Sequence, residues 1–184
     1  MERSGALKKS RTDGFQTYLR ALEASDLERV FRWHNDPDLY RRLRGTFRWV
    51  SRSTEEEWLR RRCAYSPEDV NLAICLKESH EHIGNIYLRE IDWVSRTAKL
   101  EVFIGNAENR GRGFGEEAVR QVLEYAFDTL GLRRVYLTVL AFNEAATTLY
   151  KKCGFREEGR LRQHVFKQGK YEDLLVMGVL RDEL

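Results

Sequence analysis

The stretch Asn109-Arg110-Gly111-Arg112-Gly113-Phe114-Gly115-Glu116 governs the interpretation of the whole sequence. Its three glycines within five residues allow the backbone to turn sharply and to approach a ligand closely. An apolar run at 100–104 precedes it, and a strongly periodic segment at 116–130 predicts a helix after it. The first N–H groups of such a helix have no intrahelical acceptor and lie at the positive end of its dipole. Together with two arginines, they predict an anion site that suits a pyrophosphate best.

Two familiar phosphate-binding motifs do not fit this stretch. The dinucleotide fingerprint requires a third glycine where Glu116 stands and belongs near the start of a βαβ unit, whereas this loop lies in mid-chain. A P-loop requires Gly-Lys followed by Ser or Thr, which the stretch lacks. These mismatches disfavour a nucleotide-binding domain, although an ordinary glycine-rich turn still fits the loop taken alone.

The spacing of Arg110, Gly113 and Gly115 matches the R/Q-x-x-G-x-G/A loop that holds the coenzyme A pyrophosphate in GNAT acyltransferases, and the chain resembles that superfamily. Within it, the stretches 98–105, 110–117 and 149–155 are similar to the RimL-type N-acetyltransferases, and 150–177 is also similar to spermidine acetyltransferases. The resemblance extends from about residue 15 to the C-terminus. We therefore expect a GNAT acetyltransferase domain at 15–184 and a flexible basic tail at 1–14.

Composition is that of one globular domain. The 184 residues, 42% of them hydrophobic, suffice for a substantial core, and 32 basic against 29 acidic residues are too evenly balanced to predict a nucleic-acid partner. No apolar stretch is long enough for a membrane span, and the first fourteen residues lack an apolar signal segment. Cys63, Cys75 and Cys153 have no metal-ligand spacing, which predicts reduced thiols in a cytoplasmic protein without a metal.

Hydrophobic periodicity and turn residues predict strands that alternate with helices. We expect strands at 15–22, 70–77, 82–93, 96–104 and 134–140, and a terminal hairpin of strands 155–167 and 171–180. We expect helices at 25–35 with a capping box of Ser25 and Glu28, from a cap at Ser53 or Thr54 to about Ala64, at 116–130, and from a cap at Asn143 through Tyr150. His80 and His82 flank a turn, where we expect them to be solvated.

This order of elements gives a mixed α/β sheet with helices on both faces. The resemblance implies the GNAT fold, whose central sheet is mostly antiparallel and here ends in a C-terminal β-hairpin. In that fold the strand ending near Ile104 and the strand at 135–140 splay apart, and the cofactor enters the gap between them.

By the same resemblance, acetyl-CoA is the acetyl donor. The backbone of Val102, Phe103 and Ile104 would pair with the pantetheine arm like an added strand, and Asn143 would hydrogen-bond it, although a plain N-cap role is a strong alternative for Asn143. The pyrophosphate would be held by the N–H groups of the glycine loop, namely those of Arg110, Gly111, Arg112, Gly113, Phe114 and Gly115.

Tyr150 is the predicted catalytic acid. It lies seven residues after Asn143, on the same face of a predicted helix. In the family, a tyrosine in this L-Y-x-x-x-G-F context protonates the leaving thiolate. A phenol with a pKa near 10 is protonated at neutral pH, and a thiolate with a pKa near 8.5 is basic enough to share its proton. Without the family context, a buried aromatic residue is the simpler interpretation.

The general base is left open. Some relatives carry a glutamate where this chain has Lys99, and Glu101 lies two positions on, on the same strand face. His34, Asp36 and a chain of water molecules are other candidates. A lysine-like amine is neutral only about once in a few thousand molecules at pH 7, whereas an α-amine is neutral roughly one time in ten. Because the sequence has no obvious general base, it favours acceptors whose amines have a low pKa.

The acceptor site is predicted beside the stretch Trp33-His-Asn-Asp-Pro37, which resembles the RimL-type pattern. We accordingly expect His34, Asn35 and Asp36 to bind the acceptor, although this segment is equally consistent with a plain helix end before a proline.

The sequence thus predicts an N-acetyltransferase that moves acetyl from acetyl-CoA to a primary amine by direct transfer in a ternary complex. The acceptor is a protein N-terminus or a small amine such as a polyamine, aminosugar or antibiotic. The alternative is a non-catalytic acyl-CoA-binding regulatory module, against which Tyr150 and Asn143 argue. No nucleic-acid or membrane partner is expected, and a homodimer is left open.

Overall fold

Seven strands build the central sheet in the order β1-β2-β3-β4-β5-β7-β6. Their bounds are β1 Thr17–Ala21, β2 Val70–Leu76, β3 His82–Asp92, β4 Thr97–Ile104, β5 Arg134–Leu140, β6 Arg156–Lys167 and β7 Lys170–Leu180. All neighbours are antiparallel except β4 and β5, which are parallel. The computed structural model describes residues 14–184, so the tail predicted at 1–14 lies almost wholly outside the described residues.

Helices cover both faces of this sheet. Their bounds are α1 Leu27–His34, α2 Pro37–Tyr40, α3 Arg52–Cys63, α4 Phe114–Glu124 and α5 Glu144–Lys152. A π-helical turn, Tyr125–Thr129, continues α4, and the left-handed Gly131 (φ +66°) follows the end of this run. The predicted mixed, mostly antiparallel sheet with a C-terminal hairpin is therefore confirmed.

The core is divided by the sheet. The larger cluster packs α4, its π-helical continuation and α5 against one face. The apolar stripe of the helical run predicted at 116–130 is buried there, with Val119, Val122, Leu123, Ala126 and Phe127. Two smaller clusters pack α1 and α3 against the other face. Burial of an apolar stripe stabilises each helix more than its intrinsic propensity does.

Several predicted helix starts are wrong. Ser25 caps nothing at α1, because the chain enters that helix through a short 3₁₀ turn in which the Asp26 carboxylate accepts a hydrogen bond from the Glu23 N–H at 2.9 Å. The N-cap of α3 is Ser51, whose hydroxyl accepts from the Thr54 N–H at 3.2 Å. Sequence patterns locate helix ends less well than helix interiors.

The prediction that His82 is solvated is also wrong. Its side chain is 2% exposed, with Nδ1 3.0 Å from Asp26 Oδ1 and Nε2 2.7 Å from Asn85 Oδ1. The Trp33 ring packs edge-on against it, with the centroids 4.9 Å apart. His82 opens β3, a strand covered on both faces, so the adjacent turn does not bring it to the surface. His80 is exposed, as predicted, beside the Tyr18 hydroxyl.

Within 14–184, no helix has both the length and the apolar character needed to cross a membrane.

Candidate active site

A gap between β4 and β5 provides the site. The two strands pair only through 97–99 and 134–136, and beyond these three pairs each continues without its neighbour. β5 turns instead to β7, with which it pairs along its whole length. The predicted splay of the two strands is therefore present, and it leaves backbone hydrogen-bonding groups of β4 free at the gap.

Two adjoining cavities fill the gap. The inner cavity, of ≈ 350 Å³, lies between Tyr87, Lys99, Glu101 and Thr138. The loop cavity, of ≈ 300 Å³, lies against the glycine loop 109–116. Both cavities are lined by Arg42, Leu43, Val102, Phe103, Asn143, Ala146 and Tyr150. Because they share these residues, the two cavities form one groove that runs along the free edge of β4.

The glycine loop presents a helix N-terminus to this groove. Gly111 (φ +73°) and Gly113 (φ +88°) are in the left-handed region, which glycine adopts without strain. Gly113 is the N-cap of α4, so the helix begins at Phe114, two residues earlier than predicted. A Cβ on Gly115 would lie 3.1 Å from Leu149, so this glycine lets α4 pack closely on α5. Because the N-cap Gly113 has no side chain to accept from them, the first N–H groups of α4 are open to an anion.

The two loop arginines have structural contacts of their own. Arg110 Nε donates to the Ile104 carbonyl at 3.0 Å, and its guanidinium also bonds the Gly105 carbonyl, which ties the loop to the end of β4. The Arg112 guanidinium stacks over the Phe114 ring at 4.8 Å. Arg110 therefore braces the loop, and the backbone N–H groups are better placed than this side chain to hold an anion.

The free edge of β4 is directed into the groove. The Gly105 N–H donates to the Ile83 carbonyl of β3 at 2.8 Å. Because successive N–H groups of a strand alternate in direction, those of Val102 and Ile104 point away from β3 and towards the gap. An extended ligand can pair with them as an added strand.

Asn143 has two structural bonds. As predicted, it is the N-cap of α5, with Oδ1 accepting from the Ala146 N–H at 3.2 Å. Its Nδ2 donates to the Arg42 carbonyl at 3.0 Å and so holds the segment that follows α2. Asn143 lines both cavities, but the amide atoms have these partners already.

Tyr150 lies where the two cavities meet. Its ring packs on Phe155, with the centroids 5.7 Å apart, and the residue is 8% exposed. Within 14–184 no side chain hydrogen-bonds its hydroxyl, although the residue lines both cavities. Burial, and then the nearby Cys153 and Glu101, raise the pKa of this phenol above its usual value. It is therefore protonated at neutral pH and placed to donate in the groove.

Glu101 and Lys99 share one face of β4, as their spacing predicts, and both line the inner cavity. The Glu101 carboxylate is 3.7 Å from Arg89 Nε, and Lys99 Nζ is 3.3 Å from the Glu90 carboxylate. Glu101 is the only carboxylate among the described residues that line this cavity.

The predicted acceptor residues are placed differently. His34 Nδ1 lies 2.9 Å from the buried Glu55 carboxylate, and Asp36 caps α2 by accepting from the Asp38 N–H at 2.9 Å. Asn35 bonds the backbone of Val50 in both directions. None of these three side chains lines the groove, so the prediction that they bind the acceptor has no support from this geometry.

The segment that closes one side of the inner cavity was not among the predicted site residues. One side of this cavity is closed by the last residue of α2, Tyr40, and by the residues that follow it, Arg42, Leu43, Arg44 and Gly45. The spacing of these residues matches no motif, and only the tertiary fold brings them opposite β4. We name 40–45 the cover segment.

A lysine from the C-terminal hairpin holds the cover segment. Lys167 Nζ donates to the Tyr40 carbonyl at 2.9 Å and to the Gly45 carbonyl, and the residue is 8% exposed. Burial lowers the pKa of this ammonium. Two carbonyls 122 and 127 residues away are thus fixed by one side chain.

Replacing Lys167 by Met is expected to loosen the cover segment, because both carbonyls lose their donor. Trypsin should cleave after Arg42 and Arg44 several-fold faster than in the parent protein, since local opening exposes these bonds. Lys170→Met, on the same hairpin but exposed and paired with Glu172, is the control. Equal cleavage rates in the parent and both variants would show that Lys167 does not hold this segment.

Comparison with known proteins agrees with this site. Residues 16–156 match the family model of the acetyltransferase (GNAT) domain. The chain therefore belongs to the GNAT acetyltransferase family, and the fold class predicted from the sequence is confirmed.

Two relatives indicate the range of acceptors among similar proteins. The spermidine N(1)-acetyltransferase of Vibrio cholerae is 37% identical over 101 residues, which cover 55% of this chain and 58% of that protein. A putative ribosomal N-acetyltransferase of Bacillus subtilis, YdaF, is 33% identical over 100 residues, 54% of each chain. The aligned part thus spans little more than half the length of these curated relatives.

Solved structures match over a longer range. The Vibrio cholerae spermidine N-acetyltransferase in complex with CoA and spermine superposes with a TM-score of 0.84 at 29% identity, over 91% of this chain and 97% of that one. A dodecameric structure of the Vibrio cholerae enzyme in an intermediate state has a TM-score of 0.77 at 30% identity, over 91% and 95% of the two chains.

Proposed function

We propose that this protein transfers the acetyl group of acetyl-CoA to a primary amine by direct attack in a ternary complex. The observation that carries the proposal is the groove along β4. It has a helix N-terminus for an anion at one end, free strand N–H groups along its length, and the buried Tyr150 hydroxyl between its two cavities.

Each part of the groove has a role in this reaction. The first N–H groups of α4, with those of the glycine loop, would hold the pyrophosphate, and the N–H groups of Val102 and Ile104 would pair with the pantetheine arm. This places the thioester near Tyr150, with the inner cavity left for the acceptor. Holding both reactants in one groove converts a bimolecular step into an effectively unimolecular one.

The chemical step is balanced by two proton transfers. The neutral amine attacks the carbonyl carbon, the carbon–sulfur bond breaks, and Tyr150 gives its proton to the departing thiolate. The amine nitrogen loses one proton after attack. Glu101 is our candidate for its acceptor, because it is the one carboxylate lining the inner cavity within the described residues.

The acceptor is proposed as a primary amine that enters the inner cavity. One named relative is a spermidine N(1)-acetyltransferase and the other is a putative ribosomal N-acetyltransferase. Small amines and protein N-termini are therefore both included among the acceptors to be tested. A homodimer also remains an untested prediction for this chain.

Cofactor binding and turnover together test the proposal. Acetyl-CoA at about one hundred times its dissociation constant should raise the melting temperature by about 5–10 °C, since it binds only the native state. NAD and ATP should produce much smaller shifts. An amine panel read by release of free thiol then separates an enzyme from the alternative, a regulatory module that binds acyl-CoA without turnover. Stabilisation by NAD equal to that by acetyl-CoA would refute the assignment of the loop.

A further inference from the structure

The charges around the inner cavity are mostly positive. Its described lining includes Arg42, Arg44 and Lys99 but only one carboxylate, that of Glu101. Such a cavity attracts an anion and repels a cation, because unpaired charges of one sign add their potentials in a cleft.

Two of the three arginines of the cover segment, Arg42 and Arg44, are not neutralised, whereas Arg41 is 3.3 Å from the Asp38 carboxylate. Within 14–184, no carboxylate oxygen forms an ion pair with Arg42 or Arg44, and both residues are exposed at the mouth of the cavity. The nearest carboxylate in the lining, Glu101, faces Arg89 at 3.7 Å. Lys99 is paired with Glu90, so the excess positive charge comes from the arginines.

We propose that the natural acceptor is an amine that carries an anionic group, a carboxylate or a phosphate, which the cover segment binds through Arg44 and Arg42. This rests on the proposed acetyl transfer and names its substrate class. A polyamine, which carries several positive charges at neutral pH, meets repulsion at the same mouth. The anionic group also orients the acceptor, because a guanidinium binds carboxylate and phosphate oxygens with two parallel hydrogen bonds.

A role in cofactor binding is the competing explanation for these arginines. Arg42 lines both cavities and is near enough to the glycine loop to serve either ligand. Arg44 lines the inner cavity and not the loop cavity. Arg44 is therefore the residue whose replacement separates the two explanations.

The first experiment compares matched acceptors on the full chain. Glucosamine 6-phosphate is paired with glucosamine, and the peptide amide Ser-Asp with Ser-Arg, while spermidine represents the polyamines. The anionic member of at least one pair is expected to have a kcat/KM about tenfold higher, and added salt should reduce that advantage by screening. The pair that shows the effect identifies phosphate or carboxylate as the anion. Highest kcat/KM for spermidine would overturn the proposal.

The second experiment reverses one charge. Arg44→Glu should raise KM for the preferred anionic acceptor about tenfold and leave the dissociation constant of CoA unchanged. It should lower KM for spermidine, because repulsion becomes attraction. Arg48→Glu carries the same charge change in the same exposed region but lines neither cavity, so its acceptor preference should match the parent.

The outcomes separate this inference from the proposed function. If Arg44→Glu weakens CoA binding as much as it weakens acceptor binding, the arginine belongs to the cofactor site and the inference is overturned. The same change of acceptor preference in Arg44→Glu and Arg48→Glu would also overturn it. If spermidine is acetylated and no anionic acceptor is preferred, the proposed acetyl transfer is supported and the proposed substrate class is refuted. Failure of every amine to release thiol, with CoA still bound, would remove the proposed function itself.

Discussion

Replacing Tyr150 by Phe is expected to lower kcat by on the order of 10²-fold or more, because a general acid contributes about that much to a proton-coupled step. The affinity for acetyl-CoA should stay nearly constant, since proton donation to the thiolate matters mainly in the transition state. The ring packs on Phe155 and no described side chain hydrogen-bonds the hydroxyl, so the variant should fold and keep its melting temperature.

The measurement is kcat with the best acceptor found, beside the dissociation constant of acetyl-CoA. Tyr125→Phe removes the same hydroxyl from a partly exposed tyrosine on the π-helical turn, away from both cavities, and should have parent activity. Near-normal kcat in Tyr150→Phe would mean that solvent or another residue protonates the thiolate. The raised pKa of Tyr150 adds a further expectation, that parent activity does not decline from ionisation of this group near its ordinary pKa of 10.

Replacing Gly113 by Glu is expected to weaken CoA binding by about 100-fold or more. The new carboxylate would stand at the N-cap of α4, where it competes for the helix N-terminus and repels a pyrophosphate. A Cβ at this position meets no atom within 4 Å, so the cost to folding comes from the left-handed backbone and not from a clash. That strain is about 1–2 kcal/mol for a non-glycine residue, which a stable domain tolerates.

Gly131→Glu is a closely matched control, because it puts the same charge on another left-handed glycine that also has open space around it. Gly131 lies at the far end of the same helical run, away from the groove. Calorimetric titration with CoA, beside circular dichroism, should show normal affinity in Gly131→Glu and a large loss in Gly113→Glu. Equal losses in both variants would assign the effect to backbone strain and remove the loop from the cofactor site.

Local patterns predicted most of the scaffold. The helix after the glycine loop, the N-cap at Asn143 and the terminal hairpin were all confirmed, because periodicity, capping and turn chemistry act over a few residues. The wrong predictions concern residues whose burial depends on contacts with partners distant in the sequence. His82 beside a predicted turn is buried because Asp26 and Trp33 cover it.

The same limit applies to the candidate site. The glycine loop and Tyr150 were predicted from short motifs, and their roles in catalysis stay predictions until the variants are measured. His34, Asn35 and Asp36 were expected at the acceptor site, but each has a structural partner outside the groove. The packing of helices and strands against one another decides which side chains line a cavity. The spacing of residues within one segment does not contain that information.

The sequence by itself predicted the class of this protein through its resemblance to the GNAT loop, which is readable because the glycine loop and the helix after it are contiguous in the chain. The same resemblance, at 149–155, predicted the candidate acid. Only the tertiary structure decided the acceptor side of the groove. Lys167 reaches across more than 120 residues to hold the cover segment, and that contact places Arg44 opposite Glu101 and Lys99 in the lining of one cavity. Charges on separate elements sum into one field only when the fold brings them together, since their interaction depends on distance in space and not on separation along the chain.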